Sequence, residues 1–161
     1  MQASPTIGAV ASTPPPIATS SASLAVNGQL VSYSYPSGWS LRQVTKDHHT
    51  VVTIEGPEGA LVTLTVYGFD SSPAQLSASQ LEALKKQFAG ATATPLAETV
   101  GGRPAEGYTV KFVVDNIPMT GAILSLRGGK SAVTLYTQAA DADLGVMQAR
   151  FDVIKNSLVV K

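Results

Sequence analysis

The stretch Tyr35-Pro36-Ser37-Gly38-Trp39 decides how this chain is read. It closes an alternating segment, turns, and opens another segment on a large aromatic residue. Leu30 to Tyr35 places Val31, Tyr33 and Tyr35 on one face and Ser32 and Ser34 on the other, the period-2 signature of a half-buried strand. Pro36-Ser37-Gly38 interrupts it, and Trp39 to Thr45 resumes as a second strand.

Working outward, the same alternation continues. Lys46-Asp47-His48-His49 reads as a polar turn, and Thr50 to Glu55 as a third strand rich in β-branched residues. After the turn Gly56-Pro57-Glu58-Gly59, a fourth strand runs from Ala60 to Tyr67, with Val62, Leu64 and Val66 inward and Thr63 and Thr65 outward. The period then changes. Leu81, Leu84 and Phe88 share one helical face within Ser77 to Ala89; Ser79 and Glu82 offer a capping box and Gly90 a stop.

Strand character returns at Leu96 to Val100, Tyr108 to Val114, Met119 to Leu126 and Ser131 to Ala139, with turns at Gly101-Gly102-Arg103-Pro104, Asp115-Asn116-Ile117-Pro118 and Arg127-Gly128-Gly129-Lys130. Asp141 or Asp143 is expected to cap a final helix bearing Leu144, Met147, Phe151, Ile154 and Leu158 at helical spacing. Four strands, a helix, four strands and a helix predict an α+β domain: an antiparallel β-sheet flanked by helices. Short connections throughout argue for one such domain over residues 29–161.

Residues 1–28 differ from the rest. They are rich in Ala, Ser, Thr and Pro, and the first charged residue of the chain is Arg42. Pro14-Pro15-Pro16 favours polyproline II, and the small polar residues around it bury too little to offset the entropy of ordering. The expectation is a disordered spacer whose deletion shifts stability by no more than about 0.5 kcal/mol. Uncharged spacers of this kind commonly lift a domain off a membrane or cell surface. Two readings follow: a lipoprotein-type tether with signal and lipidated cysteine upstream of Met1, or an ordinary floppy terminus.

Composition narrows the function classes. Eleven basic residues balance eleven acidic ones and no basic run exceeds Lys85-Lys86, so no basic face for nucleic acid is expected. The absence of cysteine removes disulfides, thiolate nucleophiles and cysteine-ligated metals. No apolar run is long enough for a transmembrane helix.

The order of Tyr33-Ser34-Tyr35-Pro36 with Gly38-Trp39, the turn Gly102-Arg103-Pro104-Ala105 and the closing Phe151, Ile154, Ser157 and Leu158 resembles the PsbP-like family. That family includes the photosystem II extrinsic PsbP proteins, LpqN-type bacterial lipoproteins and Ran-release-factor relatives. The resemblance spans roughly residues 30–160. It implies an α/β/α sandwich around an antiparallel sheet, and a non-catalytic binding or assembly role, often outside the cytoplasm and sometimes behind a lipid anchor. Photosystem binding is not implied, because the uncharged terminus and scattered basic residues lack the contacts those members use.

Candidate chemistry is sparse. His48 and His49 are adjacent, so in extended chain they point apart and cannot chelate one ion together; a site would need Asp47 or a distant carboxylate. Both are expected as exposed turn residues. Asp141, Asp143 and Asp152 have calcium-loop spacing, but Val146 stands where the loop needs glycine and no closing glutamate follows. Neither a G-x-S-x-G elbow nor a phosphate-binding loop is present. No cofactor is expected.

What remains is aromatic. Trp39, Tyr67 and Tyr136 are the candidate partner contacts, each weighed against packing: Trp39 as a plug at the sheet edge, the two tyrosines under helices on the sheet's second face. The function expected is therefore an exported or surface-tethered accessory domain that binds or helps assemble a protein partner. The alternatives are a small-ligand carrier or an enzyme, with its pocket between the terminal helix and the sheet.

Overall fold

The computed structural model describes residues 16–161. Its elements, in chain order, are strands β1 (Thr19–Val26), β2 (Gln29–Pro36), β3 (Ser40–Lys46), β4 (His49–Glu55) and β5 (Leu61–Tyr67); helix α1 (Pro73–Gln87); strands β6 (Thr92–Val100), β7 (Arg103–Val114), β8 (Ile117–Arg127) and β9 (Ala132–Ala140); helix α2 (Leu144–Ser157); and the short strand β10 (Val159–Val160). The protein is α+β. Seven strands form one antiparallel sheet in the order β3-β4-β5-β9-β8-β7-β6, and β1-β2-β10 form a second, smaller one.

Alternation explains both faces of the large sheet. Val52, Ile54, Val62, Leu64, Val66, Leu124, Leu126, Val133 and Leu135 point to one side, where they meet Met147, Phe151 and Ile154 of α2 and Leu24, Val31 and Tyr33 of the small sheet. On the other side Val110, Phe112, Met119, Ile123 and Tyr136 meet Leu81 and Leu84 of α1, with Phe88 stacked on Phe112 at 4.6 Å. Helix α1 therefore covers β7, β8 and β9, and its cluster takes in no residue of β3, β4 or β5. One face of the large sheet is covered by α2 and the small sheet except beside β6 and β7 and at the edge strand β3, and the other is half open.

Several expectations need correction. The spacer assigned to residues 1–28 fails in its second half, where Thr19–Val26 pairs along its whole length with β2. Ala22, Leu24 and Val26 form an apolar row packed on the main core, with Ser and Thr outward. The pair Asn27-Gly28, at φ 47° and 81°, makes the left-handed two-residue turn that right-twisted hairpins favour. The expected spacer's first part, residues 1–15, lies outside the described residues.

Helix α1 starts at Pro73, four residues before the expected start. Ser72 caps it, its hydroxyl accepting from the Gln75 N–H at 3.1 Å, and proline at the first position needs no partner. Neither Asp141 nor Asp143 caps α2 with its side chain. Asp141 instead accepts a 2.5 Å hydrogen bond from the Thr120 hydroxyl, because a 3-10 turn over Asp141–Asp143 carries it back over β8.

Because Leu24 is 7 % exposed, removing β1 strips the small sheet of a strand and the core of a leucine. The chain beginning at residue 29 is expected to be less stable than the chain beginning at residue 16 by about 2 kcal/mol, the value of burying one such side chain. Paired urea melts check this, and coincident midpoints would return β1 to the status of a spacer.

Candidate functional site

The structure separates the three aromatic candidates. Trp39 is half-buried; its ring stands edge-on to Phe151 at 6.3 Å and lies over Gly56, where a Cβ would come within 2.5 Å of the indole. Such a ring is held by packing on both sides. Tyr136, 4 % exposed, sits under α1, with its hydroxyl donating to Gln138 Oε1 at 2.8 Å and its ring against Gly121. Burial pushes its phenol well above the ordinary value. Tyr67 alone of the three belongs to a surface cluster.

Tyr67 ends β5 directly opposite His49 on β4, the two rings 6.2 Å apart. Phe69 stands edge-on to Tyr67 at 5.5 Å and is 45 % exposed. His49 is thus a strand residue packed beside an aromatic ring, which corrects its assignment to the turn; His48 stays in the turn and is exposed. Their sequence adjacency sends them to different surroundings. Among the described residues no three His, Cys, Asp or Glu side chains converge as metal ligands would.

This cluster marks one end of the open half of the sheet. Strand register places Val44 on β3, Val51 and Thr53 on β4, and Thr63 and Thr65 on β5 on the same face as Tyr67. None of these is buried, and Val44 is 45 % exposed. Alongside runs a groove of about 690 Å³ between the flank of α1 and Phe69, lined by Gln75, Leu76, Ser79 and Glu82 among others. Under α1 a seam of hydroxyls leads toward the same cluster. Ser77 donates to the Glu106 carbonyl at 2.9 Å, and its hydroxyl lies 2.7 Å from that of Ser125; Ser125 and Thr134 are 2.9 Å apart. Burial raises the Tyr67 phenol, outweighing a hydrogen bond with Thr134 that lowers it.

A second candidate lies on the opposite face, between α2 and the strands β6, β7, β8 and β9. A hollow of about 200 Å³ there is lined by Leu96, Glu98, Thr109, Thr137, Gln148, Phe151 and Lys155, among others. Lys155 is buried, and its ammonium lies 3.0 Å from Glu98 Oε2 and 3.4 Å from Asp152 Oδ1. Gln148 also donates to Asp152 Oδ1, at 3.1 Å. At the far side Lys111 donates to the Thr120 hydroxyl at 3.0 Å and faces Asp141 at 3.9 Å. Asp152, once a calcium candidate, is here a partner of Lys155. Periodicity did not single out Lys155, which sits one residue off the apolar stripe; its place beside Ile154 was the available signal.

No protein-family model matches this chain, and no curated protein matches it in sequence. Solved structures do. LpqN of Mycobacterium tuberculosis, described as involved in cell envelope biogenesis, aligns with TM-score 0.56 at 14 % identity, over 89 % of this chain and 91 % of LpqN. PsbP of the cyanobacterium Synechocystis sp. PCC 6803 aligns with TM-score 0.56 at 16 % identity, over 91 % and 94 %. A Pseudomonas aeruginosa protein of unknown function, described as a putative regulator, aligns with TM-score 0.50 at 16 % identity, over 88 % and 96 %. The chain has the PsbP-like fold.

The tyrosines give a test of this placement. Tyr33, 3 % exposed in the small sheet, is pushed up to about 12 by burial and, secondarily, by the neighbouring Tyr35 phenol. A phenol whose pKa is raised on folding contributes stability that is complete below about pH 10 and lost as pH climbs through 12. Absorbance titration at alkaline pH should show Tyr33 and Tyr136 ionising only as the fold melts. Ionisation of all five tyrosines near pH 10 in a still-folded protein would contradict their burial.

Proposed function

We propose that this protein is a non-catalytic accessory of the cell envelope or another extracytoplasmic compartment, and that it holds a protein partner on the open half of its large sheet. The observation carrying this reading is the Tyr67–Phe69–His49 cluster on a sheet face that α1 leaves uncovered. Aromatic side chains flanked by β-branched ones supply large contact area at small entropy cost, which is what interface anchors require. Threonines between them keep the face soluble when free.

The compartment is supported by two things. The residues ahead of β1, 1–18, carry no charge, as surface spacers often do, and LpqN, with the same fold, is described in cell envelope biogenesis. Among the described residues no helix is long and apolar enough to cross a membrane, so attachment would lie elsewhere in the chain or upstream of Met1. A second reading, a small-ligand carrier, is favoured by the hollow under α2 and its buried Lys155.

A photo-crosslinking amino acid placed at Val44 or Phe69 in the native organism is expected to trap one discrete partner, while the same group at exposed Val113, on the β7–β8 hairpin, traps none. Phe69→Asp combined with Val44→Asp should cut partner recovery at least tenfold and leave the thermal midpoint within about 2 °C, since neither side chain is buried. Equal trapping at all three positions would remove the open face from consideration. Fractionation settles the compartment: mature protein found free in the cytoplasm overturns that part.

A further inference from the structure

The layer that covers the large sheet stops one strand short of its β3 edge. Thr50, Val52 and Ile54 of β4 point into that layer and are buried. Their register partners on β3 are Thr45, Gln43 and Leu41; the first two are exposed and Leu41 is half-buried. The other end of the layer is fixed at β6 and β7. There the Gly101 N–H donates to the Lys155 carbonyl at 2.9 Å, Lys155 reaches Glu98, and Arg103 holds the Val160 carbonyl of β10. From β10 the small sheet runs through β2 to β1, which is therefore its last strand on the β3 side. Beside β1, the inward face of β3 forms an uncovered ledge.

β1 presents a free edge to that ledge. On β2, the Leu30 N–H and carbonyl bond Lys161, on the β10 side. Antiparallel alternation then turns the backbone groups of Gln29, Val31, Tyr33 and Tyr35 toward Val26, Leu24, Ala22 and Ser20 of β1. The N–H and C=O of Thr19, Ser21, Ser23 and Ala25 consequently point away from β2, and none has a backbone partner among the described residues.

Free edges are normally guarded by charge, proline or a bulge. β3 carries Arg42 and Lys46, and β6 carries Pro95 and Glu98. β1 has no charge and no proline, and its register with β2 runs unbroken over 8 residues. A row of alternating donors and acceptors is matched by another strand. The ledge decides what may bring that strand. Strands lie about 4.8 Å apart, so β3 extends past β1 by the width of one strand. In a two-fold dimer pairing β1 with β1, the β4 of the second copy would enter the space of the first copy's β3. A lone extended segment fits without this clash.

We propose that β1 receives an extended, uncharged segment of a partner protein as a further strand of the small sheet. Its backbone pairs with Thr19, Ser21, Ser23 and Ala25, and alternate side chains rest on Leu41, Gln43 and Thr45. A charged side chain at those inward positions would lose water against an uncharged ledge and find no counter-ion. Val44 and Tyr67 lie on the other face of the large sheet, so this site does not rest on the open-face reading.

The probe is an acetylated and amidated eight-residue peptide alternating threonine and valine, added to the full chain and followed by amide hydrogen exchange and chemical shifts. In the free chain the amides of Thr19, Ser21, Ser23 and Ala25 are expected to exchange readily, and those of Ala22 and Leu24 slowly. The peptide should slow the first set roughly tenfold or more and leave the second unchanged. A counterpart with lysine for valine should bind at least tenfold more weakly. Ser23→Pro removes an outward N–H that β2 does not use; it should weaken the peptide roughly tenfold and hold the melting midpoint within about 2 °C. Gln43→Lys, on the exposed ledge, is a second block that leaves the β1 backbone alone. Phe69→Asp, on the open face, should change nothing, which keeps the two sites separable. Outward amides of β1 already protected in the free chain would assign the edge to residues 1–15 or to a second copy and overturn the proposal. So would protection at β3 or β6 in place of β1, equal affinity for the lysine peptide, an affinity that survives Ser23→Pro and Gln43→Lys, or no protection at all.

Discussion

The buried amide of Gln29 is the interaction on which the two sheets depend for their relation. It is 0 % exposed. Its Oε1 accepts from the Lys130 N–H at 2.8 Å and the Ser131 N–H at 3.2 Å, and its Nε2 donates to the Lys161 carbonyl. One side chain thereby joins the β1–β2 hairpin, the β8–β9 turn and the chain leaving β10. Gly128 makes room for it: a Cβ there would collide with the Val160 side chain and approach Gln29 Oε1. Arg103 completes the junction, donating to the Val160 carbonyl at 2.9 Å and the Arg127 carbonyl at 3.2 Å. An apolar residue at position 29 would leave the buried Ser131 N–H without this partner, at about 1–3 kcal/mol.

With that junction fixed, α2 follows. Ser34 N–H donates to the Ser157 hydroxyl at 2.8 Å, which itself donates to the Ser34 carbonyl at 3.2 Å, so the end of α2 is tied to the middle of β2. The helix is therefore committed to the small sheet as much as to the large one. It cannot also spread over β6 and β7, and the cleft carrying Lys155 and Glu98 is the space left there. The cavity is a consequence of where the helix is anchored.

The opposite face has a similar logic. Helix α1 is anchored by Leu81, Leu84 and Phe88 on β7 and β8, while its first turns rest on the Ser77, Ser125 and Thr134 hydroxyls. One helix is about 10–12 Å across and strands are about 4.8 Å apart, so it spans two or three strands. Seven strands on one side with a single helix leave the β3–β4–β5 half uncovered. Thr53, Thr63 and Thr65 suit that exposure, and Val44, Tyr67 and Phe69 are the apolar side chains on and beside it.

Most of this architecture was legible in the sequence because alternation and helical spacing are local. Val62-Thr63-Leu64-Thr65-Val66 and Leu81, Leu84, Phe88 identify their elements without help from the rest of the chain. β1 was missed because Ser, Thr and Ala dominate it, although Asn27-Gly28 before an alternating run is a hairpin signal that should have outweighed composition. The second sheet was illegible for another reason: β10 is two residues long and acquires its identity only by pairing with Val31 and Ser32. The cleft lay further out of reach, since Glu98, Thr137 and Lys155 come from an edge strand, a central strand and a helix. Each is unremarkable in its own segment. Lys155 shows the point most sharply: helical periodicity places it beside the apolar stripe, and only the neighbouring edge strand, by supplying Glu98, turns a snorkelling surface lysine into a buried ion pair.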